Sequence, residues 1–442
     1  MLLVNNLHMS IPLDRLYHYI DDIAKEITDN LIIYRFFPHG SKKLKDLQDL
    51  TGPVSWQDKA LKIPLYCNDQ EPLNYELYQN IPDPYEFKKI ISLVCVPPDR
   101  NLNINPTVYN NVLLLHSEQR SKNLIAYQDS QFIPVYYWSH AIIARDWFRY
   151  AEHVQQHKQV RKTFLVYNRA WSGTREYRLK FAEHLVRLGL PNCCQTNINP
   201  VEPELGTHYG LHKFNNPAWR PVTVLENFFP INTAHSYYSA DFDIEDYNAT
   251  DIEVVLETLF DDNRLHLTEK SLRPVACGQP FILAGTHGSL EYLRSYGFKT
   301  FGNIWDERYD ECADPEERLA RIADLMKQIA NWAPDVRKRK MAQAQVISKY
   351  NKKHFFSKDF FEQAITELKN NLQSAVNHLH KVNSFKPFID RWEQWMTFKE
   401  IKDFLENENP GQNPGIPTII QVNNVLKIAK DLDHQQLTTQ QE

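Results

Sequence analysis

Hydrophobic residues in the first third of the chain form short continuous runs that are separated by polar or amphipathic stretches. Between Leu13 and Ile27 the apolar positions recur at helical spacing, which predicts a helix. The runs that predict buried strands are Leu31–Tyr34, Ile63–Tyr66, Ile91–Val96, Val112–Leu115 and Phe132–Tyr136. Because continuous apolar strands that alternate with helices or loops are typical of a sheet covered on both faces, this region predicts an α/β fold.

A second region of the same kind begins after a charged, glutamine-rich stretch from His153 to Lys162, which we take as the domain boundary. Thr163–Tyr167 predicts a strand, and the segment from Gly173 to Leu188 predicts a helix that stops at Gly189. Further predicted strands, which alternate with helical segments, are Val222–Leu225, Ile252–Leu256, Phe281–Ala284 and Lys299–Phe301. The chain therefore contains two successive α/β patterns.

The last part of the chain is helical by its periodicity. From Pro315 to His380 the pattern predicts helices with one long apolar stripe, which we interpret as core, and Glu406–Gly415 has the composition of a linker. We therefore predict two Rossmann-like domains, over residues 1–155 and 160–355, that face a cleft. C-terminal helices over 356–405 are expected to pack back across the cleft, followed by a linker and tail over 406–442.

Composition narrows the class of protein. Hydrophobic residues make up 42% of the 442 positions and charged residues 24%, which is normal for a soluble globular protein. No run approaches the ~18 apolar residues of a membrane helix, and the start of the chain lacks the charged and apolar regions of a signal peptide. The six cysteines show no CxxC pair and no zinc-like spacing with histidine. We expect a cytoplasmic protein without a disulfide framework or a structural metal.

The densest group of polar residues with candidate chemistry is Leu267–Pro274. Thr268 before Glu269 and Lys270 predicts the start of a helix, where a phosphate would meet backbone N–H groups, the positive end of the dipole and the Lys270 ammonium. Arg273 adds a forked donor on nearly the same face. The alternative is an ordinary capped helix whose Glu269 and Lys270 are solvated.

Asn168 and three arginines follow the predicted strand Thr163–Tyr167. Asn168 and Arg169 come directly after it, and Arg175 and Arg178 lie three apart on one helix face. Because α/β sheets bind ligands beyond the carboxyl ends of their strands, this group predicts a diphosphate site. Surface charge without a ligand is the plain alternative.

Glu257 and Thr258 follow the predicted strand Ile252–Leu256. A carboxylate at such a position accepts hydrogen bonds from both ribose hydroxyls in dinucleotide sites. A helix-capping or structural role for Glu257 fits the sequence equally well.

Two groups of enzymes resemble this chain. The run from Glu257-Thr258 through Thr268-Glu269-Lys270 to Gly285 is similar to the donor-binding half of the α-1,3-fucosyltransferases and exostosin-like enzymes of the GT-B class. Thr258 stands where the fucosyltransferases have Asn-Ser. Glycosyltransferases of large tailed bacteriophages resemble the chain more closely, over roughly residues 60–310. The segments that carry this second resemblance are Asp69–Leu73, Leu115–Glu118, Tyr136–His140, Tyr167–Arg178 and Thr268–Gly285.

The resemblance implies a GT-B-like α/β fold and the transfer of a sugar from a UDP- or GDP-linked donor to a hydroxyl group. It implies that the strand-end Glu257, the Thr268-Glu269-Lys270 run and Asn168 with the arginines after it hold the nucleotide diphosphate. The first half would then hold the acceptor.

A metal ion is not expected at the donor site. No Asp-x-Asp pair follows a strand convincingly in this half, and Arg169, Arg175, Lys270 and Arg273 can neutralise the leaving diphosphate instead. The loop pair Asp261-Asp262 is the exception, because two carboxylates there could recruit Mg²⁺. We therefore predict a metal-independent transferase with no cofactor besides the nucleotide sugar.

Candidates for the general base lie in the first half. Asp69 and Glu71 follow the strand Ile63–Tyr66, and an inverting transfer needs a base within hydrogen-bond reach of the acceptor hydroxyl. Glu71 is the first choice and Asp69 the second. Pro72, at the first position of a predicted helix, is equally compatible with helix-capping roles for both acids.

The acceptor side is expected to include residues that follow later strands. His116 and Glu118 come after the run Val112–Leu115 and are the next candidates for the base. Trp138 and His140 follow the run Phe132–Tyr136 and would line the cleft, or else belong to the core.

The resemblance also implies an acceptor, since soluble sugar transferases of phages decorate hydroxylated or hydroxymethylated pyrimidines in phage DNA. Net charge is −5, so contact with DNA requires local basic clusters. Such clusters occur at Lys42–Lys45, Lys158–Lys162, Arg337–Lys340 and Lys349–Lys353, and solvated helix faces are the alternative. A surface-glycan acceptor and a non-catalytic nucleotide- or DNA-binding accessory role are the competing functions.

Overall fold

The computed structural model describes residues 139–382 with gaps at 169, 204, 226–233, 235–241 and 262. Before residue 139 it describes a few helical positions between 19 and 27, five strands and some neighbours of these strands. Among those helical positions Ile20 and Ile23 are buried, as the predicted helix requires.

The first sheet has five strands in the order β2-β1-β3-β4-β5. Strand β2 is antiparallel to β1, and the other neighbours are parallel, with Ile33 opposite Leu65 and Leu115 opposite Tyr136. The strands are β1 Leu31–Phe36, β2 Gln48–Asp49, β3 Ile63–Asn68, β4 Leu113–His116 and β5 Val135–Tyr137. Four predicted strands are thereby confirmed, and the prediction at Ile91–Val96 lies outside the described residues.

The second sheet has four parallel strands in the order β7-β6-β8-β9. These strands are β6 Lys162–Val166, β7 Cys194–Thr196, β8 Thr250–Leu256 and β9 Phe281–Ala284. Nearly all their residues are buried, as expected for strands covered on both faces. Strand β6 comes first in the chain among these four and lies inside the sheet. Strand β7 is added on one side of it, and β8 and then β9 are added on the other.

Helices cover this second sheet and follow it. They are α1 Ala141–Trp147, α2 Tyr177–Arg187, α3 Ile244–Ala249, α4 Glu269–Cys277, α5 Ser289–Ser295, α6 Pro315–Ala330, α7 Pro334–Phe355 and α8 Lys358–Val382. Short 3₁₀ turns are Arg149–His153, Gly173–Arg175, Pro191–Cys193, Tyr209–Leu211, Pro217–Trp219 and Arg308–Glu311. No helix in the described part of the chain is both long and apolar enough to cross a membrane.

The ends of α2 and α4 follow from their sequences. Gly189 after α2 and Gly278 after α4 have positive φ, of 69° and 71°, a conformation that glycine adopts without steric cost. Thr268 caps the start of α4, where its hydroxyl accepts a hydrogen bond from Lys270 N–H. The helices predicted over 173–188 and 315–380 are confirmed, the second as α6, α7 and α8.

Two strand predictions in this region are wrong, for different reasons. Val222 and Val224 are exposed, and the N–H groups of Val222 and Thr223 donate to the Glu183 carboxylate instead of a strand. The N–H of Lys299 donates to the side-chain oxygen of Asn351 on α7, and the C=O of Lys299 accepts from the side-chain nitrogen of Asn351, so a single amide replaces a neighbouring strand. The short strand β7 is not predicted from the sequence, because Cys194–Thr196 is too brief for a periodic signal.

The chain divides into two compact units. Residues 139–365 belong to one, and the strands β1 to β5 together with α8 from Thr366 belong to the other. The division therefore comes before the predicted boundary at 155–160. The reason is that α1, with buried Ile142, Ile143 and Trp147, packs on α4.

Candidate functional site

The candidate site lies where β6 and β8 end side by side in the second sheet. This pair is the topological switch point, because β7 adds outside β6 while β9 adds outside β8. Open α/β sheets bind ligands in the crevice beyond the carboxyl ends of such strands. Asn168 and Glu257 follow the two strands and are both fully buried at this edge of the sheet.

Glu257 is buried and binds the start of α4. Its Oε1 accepts hydrogen bonds from Thr268 N at 2.9 Å, Ser271 N at 3.2 Å and Ser271 Oγ at 2.5 Å. Its Oε2 accepts from Thr268 Oγ1 at 2.8 Å and from Thr258 N at 3.1 Å. A carboxylate has about four lone-pair sites, so this one is saturated.

These contacts bear on two sequence-based predictions. The ribose-binding role predicted for Glu257 has no lone pair left, and the structural alternative, a cap of α4, is the one observed. A phosphate at the start of α4 would also compete with the protein's own anion, since Glu257 already holds the N–H of Ser271. Of the N–H groups at the start of α4, those of Thr268 and Ser271 are thus held by Glu257, and that of Lys270 is held by Thr268 Oγ1.

Arg178, predicted to bind diphosphate, is buried and joins the loop after β6 to the end of β8. Its Nη1 donates to Ala170 O at 2.7 Å, and its Nη2 donates to Leu256 O at 2.6 Å and Glu257 O at 3.0 Å. Burial lowers the pKa of this guanidinium. The Tyr177 hydroxyl also donates to Glu257 O, at 2.7 Å. Arg178 thus positions the site and has two of its nitrogens bound to backbone oxygens.

Arg273, also predicted to bind diphosphate, points into the core. Its side chain is 3% exposed, and its Nη2 lies 2.6 Å from Glu253 Oε1. The guanidinium carbon lies 4.4 Å from the centre of the Tyr167 ring. Burial opposes the charge of Arg273, but the Glu253 carboxylate outweighs it, so the pKa of Arg273 is raised. The expected pairing of Arg273 with Lys270 on one ligand-facing surface is not observed.

Lys270 retains some access to solvent. Its side chain is 16% exposed, with Nζ 2.7 Å from Glu269 Oε1 and 3.3 Å from Thr268 Oγ1. An ammonium has three donors, so these two contacts leave one N–H for a ligand. Of the two cations in the α4 motif, Lys270 is therefore the one that can still donate a hydrogen bond to a ligand.

Asn168 has the least satisfied side chain at the crevice. The residue is 0% exposed, and neither Oδ1 nor Nδ2 has a hydrogen-bond partner among the described residues. Its backbone N–H donates to Asn197 Oδ1 at 2.6 Å, which fixes the position of the residue. A buried polar group without a partner costs about 1–3 kcal/mol and requires an explanation. An ordered water and a ligand that supplies both a donor and an acceptor are two such explanations.

Two buried carboxylates that were not predicted hold loops of this unit: Glu202 holds the loop after β6, and Glu176 holds the loop at 212–216. Glu202 accepts from Trp171 N at 2.7 Å and Ser172 N at 3.0 Å, and its Oε1 has no hydrogen-bond partner in the described part of the chain. Glu176 accepts from the backbone N–H groups of Asn215 and Asn216. Nothing in the sequence separates these acids from solvated ones, since each lies in a polar stretch.

The remaining donor-side residues are placed as follows. Arg175 is half-buried in the turn Gly173–Arg175, and its Nε donates to Ser172 O at 3.3 Å. Thr258 is buried next to Glu257. Asp261 accepts from Trp219 Nε1 at 2.6 Å. Within the described residues, no group of three or more His, Cys, Asp or Glu side chains could hold a metal ion.

Several predicted residues lie outside the described residues: Asp69, Glu71, Glu118, Trp138, Arg169 and Asp262. His116 is the last residue of β4. His140 was predicted on the acceptor side but belongs to the unit of the donor residues, where its buried ring meets the edge of His266 at 5.4 Å. The structure thus brings Asn168, Arg175, Arg178, Glu257 and the α4 motif into one unit.

Comparison of the chain with protein families, curated proteins and solved structures gives no match.

Proposed function

We propose that the protein is a glycosyltransferase that moves a sugar from a UDP- or GDP-linked donor to a hydroxyl group, with hydroxylated or hydroxymethylated pyrimidines of phage DNA as the acceptor. The observation that carries the proposal is the fully buried Asn168 side chain at the switch point, which has no partner among the described residues. A nucleotide offers both donors and acceptors to such an amide.

The charge of the donor diphosphate is met by fewer protein groups than the sequence suggests. Arg178 and Arg273 bind protein carbonyls and Glu253, so we assign them to positioning the strand ends and α4. We assign the diphosphate to Lys270 and Arg175, which are partly exposed, and Arg169 is proposed from its place in the sequence. Cations that face a leaving diphosphate stabilise the charge that develops on it.

The general base is proposed from the sequence alone. Glu71→Gln retains the size and hydrogen-bonding groups of the side chain but cannot accept a proton, so we expect turnover to fall ~10²–10⁴-fold with little change in donor binding. Rapid-quench measurement of sugar transfer checks this. If Asp69→Asn is inactive and Glu71→Gln is not, Asp69 is the base, and if both variants are active the base lies elsewhere, with His116 and Glu118 next.

Nucleotide binding tests the role of Asn168. In Asn168→Leu a side chain of similar volume replaces an amide that has no partner, so the unliganded protein should unfold at an unchanged or higher temperature. Affinity for the nucleotide sugar should fall about tenfold, as two neutral hydrogen bonds are lost. Calorimetric titration with UDP- and GDP-sugars measures the affinity, and Asn331→Leu, at the exposed end of α6, is the matched control.

Equal affinity of wild type and Asn168→Leu for every nucleotide sugar would remove the basis of the proposal. The reaction itself is tested by incubating the protein with a panel of nucleotide sugars and hydroxymethylated DNA, followed by mass spectrometry of the nucleosides. A sugar-sized mass increase on the modified pyrimidine supports the function. Transfer to a glycan but never to DNA would reject the proposed acceptor.

A further inference from the structure

Helix α7 is strongly basic. It contains one acidic residue, Asp335 in its first turn, and seven lysines and arginines. These seven are Arg337, Lys338, Arg339, Lys340, Lys349, Lys352 and Lys353. In a chain with a net charge of −5, this is a local reversal of charge.

Three of the seven cations are held by contacts within the unit. Their partners are the Asp251 carboxylate for Arg337, the Ile304 carbonyl for Lys340 and the Val154 carbonyl for Lys352. The buried side of the helix, with Ala344, Ser348 and Phe355, packs on α4, and Gln345 donates to Gly278 O. The helix is thus firmly attached along one side.

The other four cations, Lys338, Arg339, Lys349 and Lys353, are exposed and form no ion pair within the described part of the chain. At 100° per residue they fall within an arc of about 100° on the helix surface, opposite the buried side. Val346, 69% exposed, lies in the same arc, with Tyr350, 40% exposed, at its edge. We call these four cations the basic stripe.

We infer that the basic stripe binds the phosphate backbone of DNA, which rests on the proposed function for the role of DNA as acceptor. Lys338 and Lys353 are fifteen residues apart, or about 22 Å along a helix. At about 3.4 Å per base pair, that length covers about six phosphates of one strand. Cations that release counterions from phosphates supply most of the sequence-independent affinity for DNA.

An anionic membrane fits the stripe less well. A helix that binds in the membrane interface buries an apolar face in the lipid, but the apolar side of α7 is packed against α4.

Lys158, from another basic cluster in the sequence, is excluded as a phosphate contact, since its ammonium donates to Tyr247 O and Thr250 O at 2.7 Å. The stripe on α7 is therefore the stronger candidate.

The test compares two variants with the same loss of charge. In the stripe variant Lys338, Arg339, Lys349 and Lys353 are all replaced by Gln. In the control variant four exposed cations that already form ion pairs, Arg308, Arg321, Lys358 and Lys369, are replaced by Gln. Binding of a fluorescein-labelled 20-base-pair duplex is measured by anisotropy between 50 and 200 mM salt, without a donor.

Four phosphate contacts contribute a slope of about −3.6 to the dependence of log affinity on log salt. Wild type and the control should therefore lose about 150-fold more affinity than the stripe variant over this fourfold change in salt. Equal slopes for wild type and the stripe variant would overturn the inference. So would an equal loss in the control, which would show an effect of net charge alone.

Two further measurements separate this inference from the proposed function. Binding to phosphatidylserine vesicles that is lost in the stripe variant, while DNA binding is retained, would assign the stripe to lipid and overturn the inference. Sugar transfer to hydroxymethylated DNA, measured with the whole panel of nucleotide sugars, tests the function separately. If no sugar is transferred while the stripe binds DNA, the proposed function is wrong and the inference that the stripe binds DNA stands.

Discussion

Helices α4 and α7 pack against each other, and they differ in how many of their charged residues make contacts within the protein. In α4, Glu269 pairs with Lys270, and Arg273 is buried against Glu253. In α7, the four cations of the basic stripe make no such contacts among the described residues. The cause is position, because α4 packs on β8, α1 and α7 whereas one side of α7 faces solvent. On a helix that packs against a sheet, as α4 does, a charged sequence motif therefore indicates contacts that stabilise the fold before it indicates a ligand site.

Replacing Arg273 should give the largest effect on the α4 side of this comparison. Arg273→Ala leaves the buried Glu253 carboxylate without its cation, so we expect a loss of about 3–5 kcal/mol in unfolding free energy. Urea denaturation measures this loss. A second variant that combines Arg273→Met with Glu253→Gln should recover most of it, because no uncompensated charge remains. A loss below about 1 kcal/mol in Arg273→Ala would mean that the pair is not buried as described.

Asp310 is a buried carboxylate beside helix α5, and the pH dependence of protein stability tests its burial. Asp310 accepts a hydrogen bond from Leu290 N at the start of α5, and burial raises its pKa to about 6. Between pH 4 and 6 the folded state keeps a proton that the unfolded state has released, so stability falls as pH rises through this window.

The variant Asp310→Asn lacks this titration. Above pH 6 it should be more stable than wild type by up to about 3 kcal/mol, and near pH 3 the two should be equal. Thermal unfolding at a series of pH values measures the difference. A constant difference from pH 3 to pH 8 would contradict the raised pKa.

Lys270 is the one cation of the α4 motif that we assign to the ligand. Lys270→Ala should weaken nucleotide-sugar binding by roughly 1.5–3 kcal/mol, the value of a lost charged hydrogen bond. Calorimetric titration measures the change, with Lys358→Ala as the control, since Lys358 is also paired with a glutamate. Unchanged affinity in a folded Lys270→Ala variant would mean that the charged residues of α4, Glu269, Lys270 and Arg273, stabilise the fold and do not bind the ligand.

Single replacements in the basic stripe should give the smallest effect. Lys338→Ala and Lys349→Ala remove exposed side chains without partners among the described residues, so the unfolding free energy should change by less than about 0.5 kcal/mol. Urea denaturation alongside Arg273→Ala provides the direct contrast. A loss above about 1 kcal/mol would reveal a structural role and weaken the comparison.

Much of the fold could be predicted from the sequence. The run Phe281–Ala284 is continuous and apolar, and Ile252–Leu256 is apolar except for Glu253, because both faces of the sheet are covered; this pattern is local. Lys299–Phe301 was predicted as a strand because the sequence gives no sign that Asn351, 52 residues away, binds the Lys299 backbone.

The site was harder to predict than the fold. The position of Asn168 beyond a strand follows from the sequence, but its unpartnered amide depends on what surrounds it. Arg178 and Arg273 have the same residue type as a phosphate ligand, and only the three-dimensional structure reveals that carbonyls and Glu253 hold them. Residue type indicates the chemistry that is available, and tertiary contacts decide where it is used.

The hydrogen bonds that Arg178 donates have a consequence for the free-energy cost of ligand binding. A single guanidinium joins the loop that contains Ala170 to the end of β8 at Leu256 and Glu257. The loop and the strand end are thus held together in the unliganded protein, so little loop entropy would be lost if a ligand bound beside them. Lysine cannot replace this planar fork of donors, so even Arg178→Lys should make the loop and the strand end independent of each other.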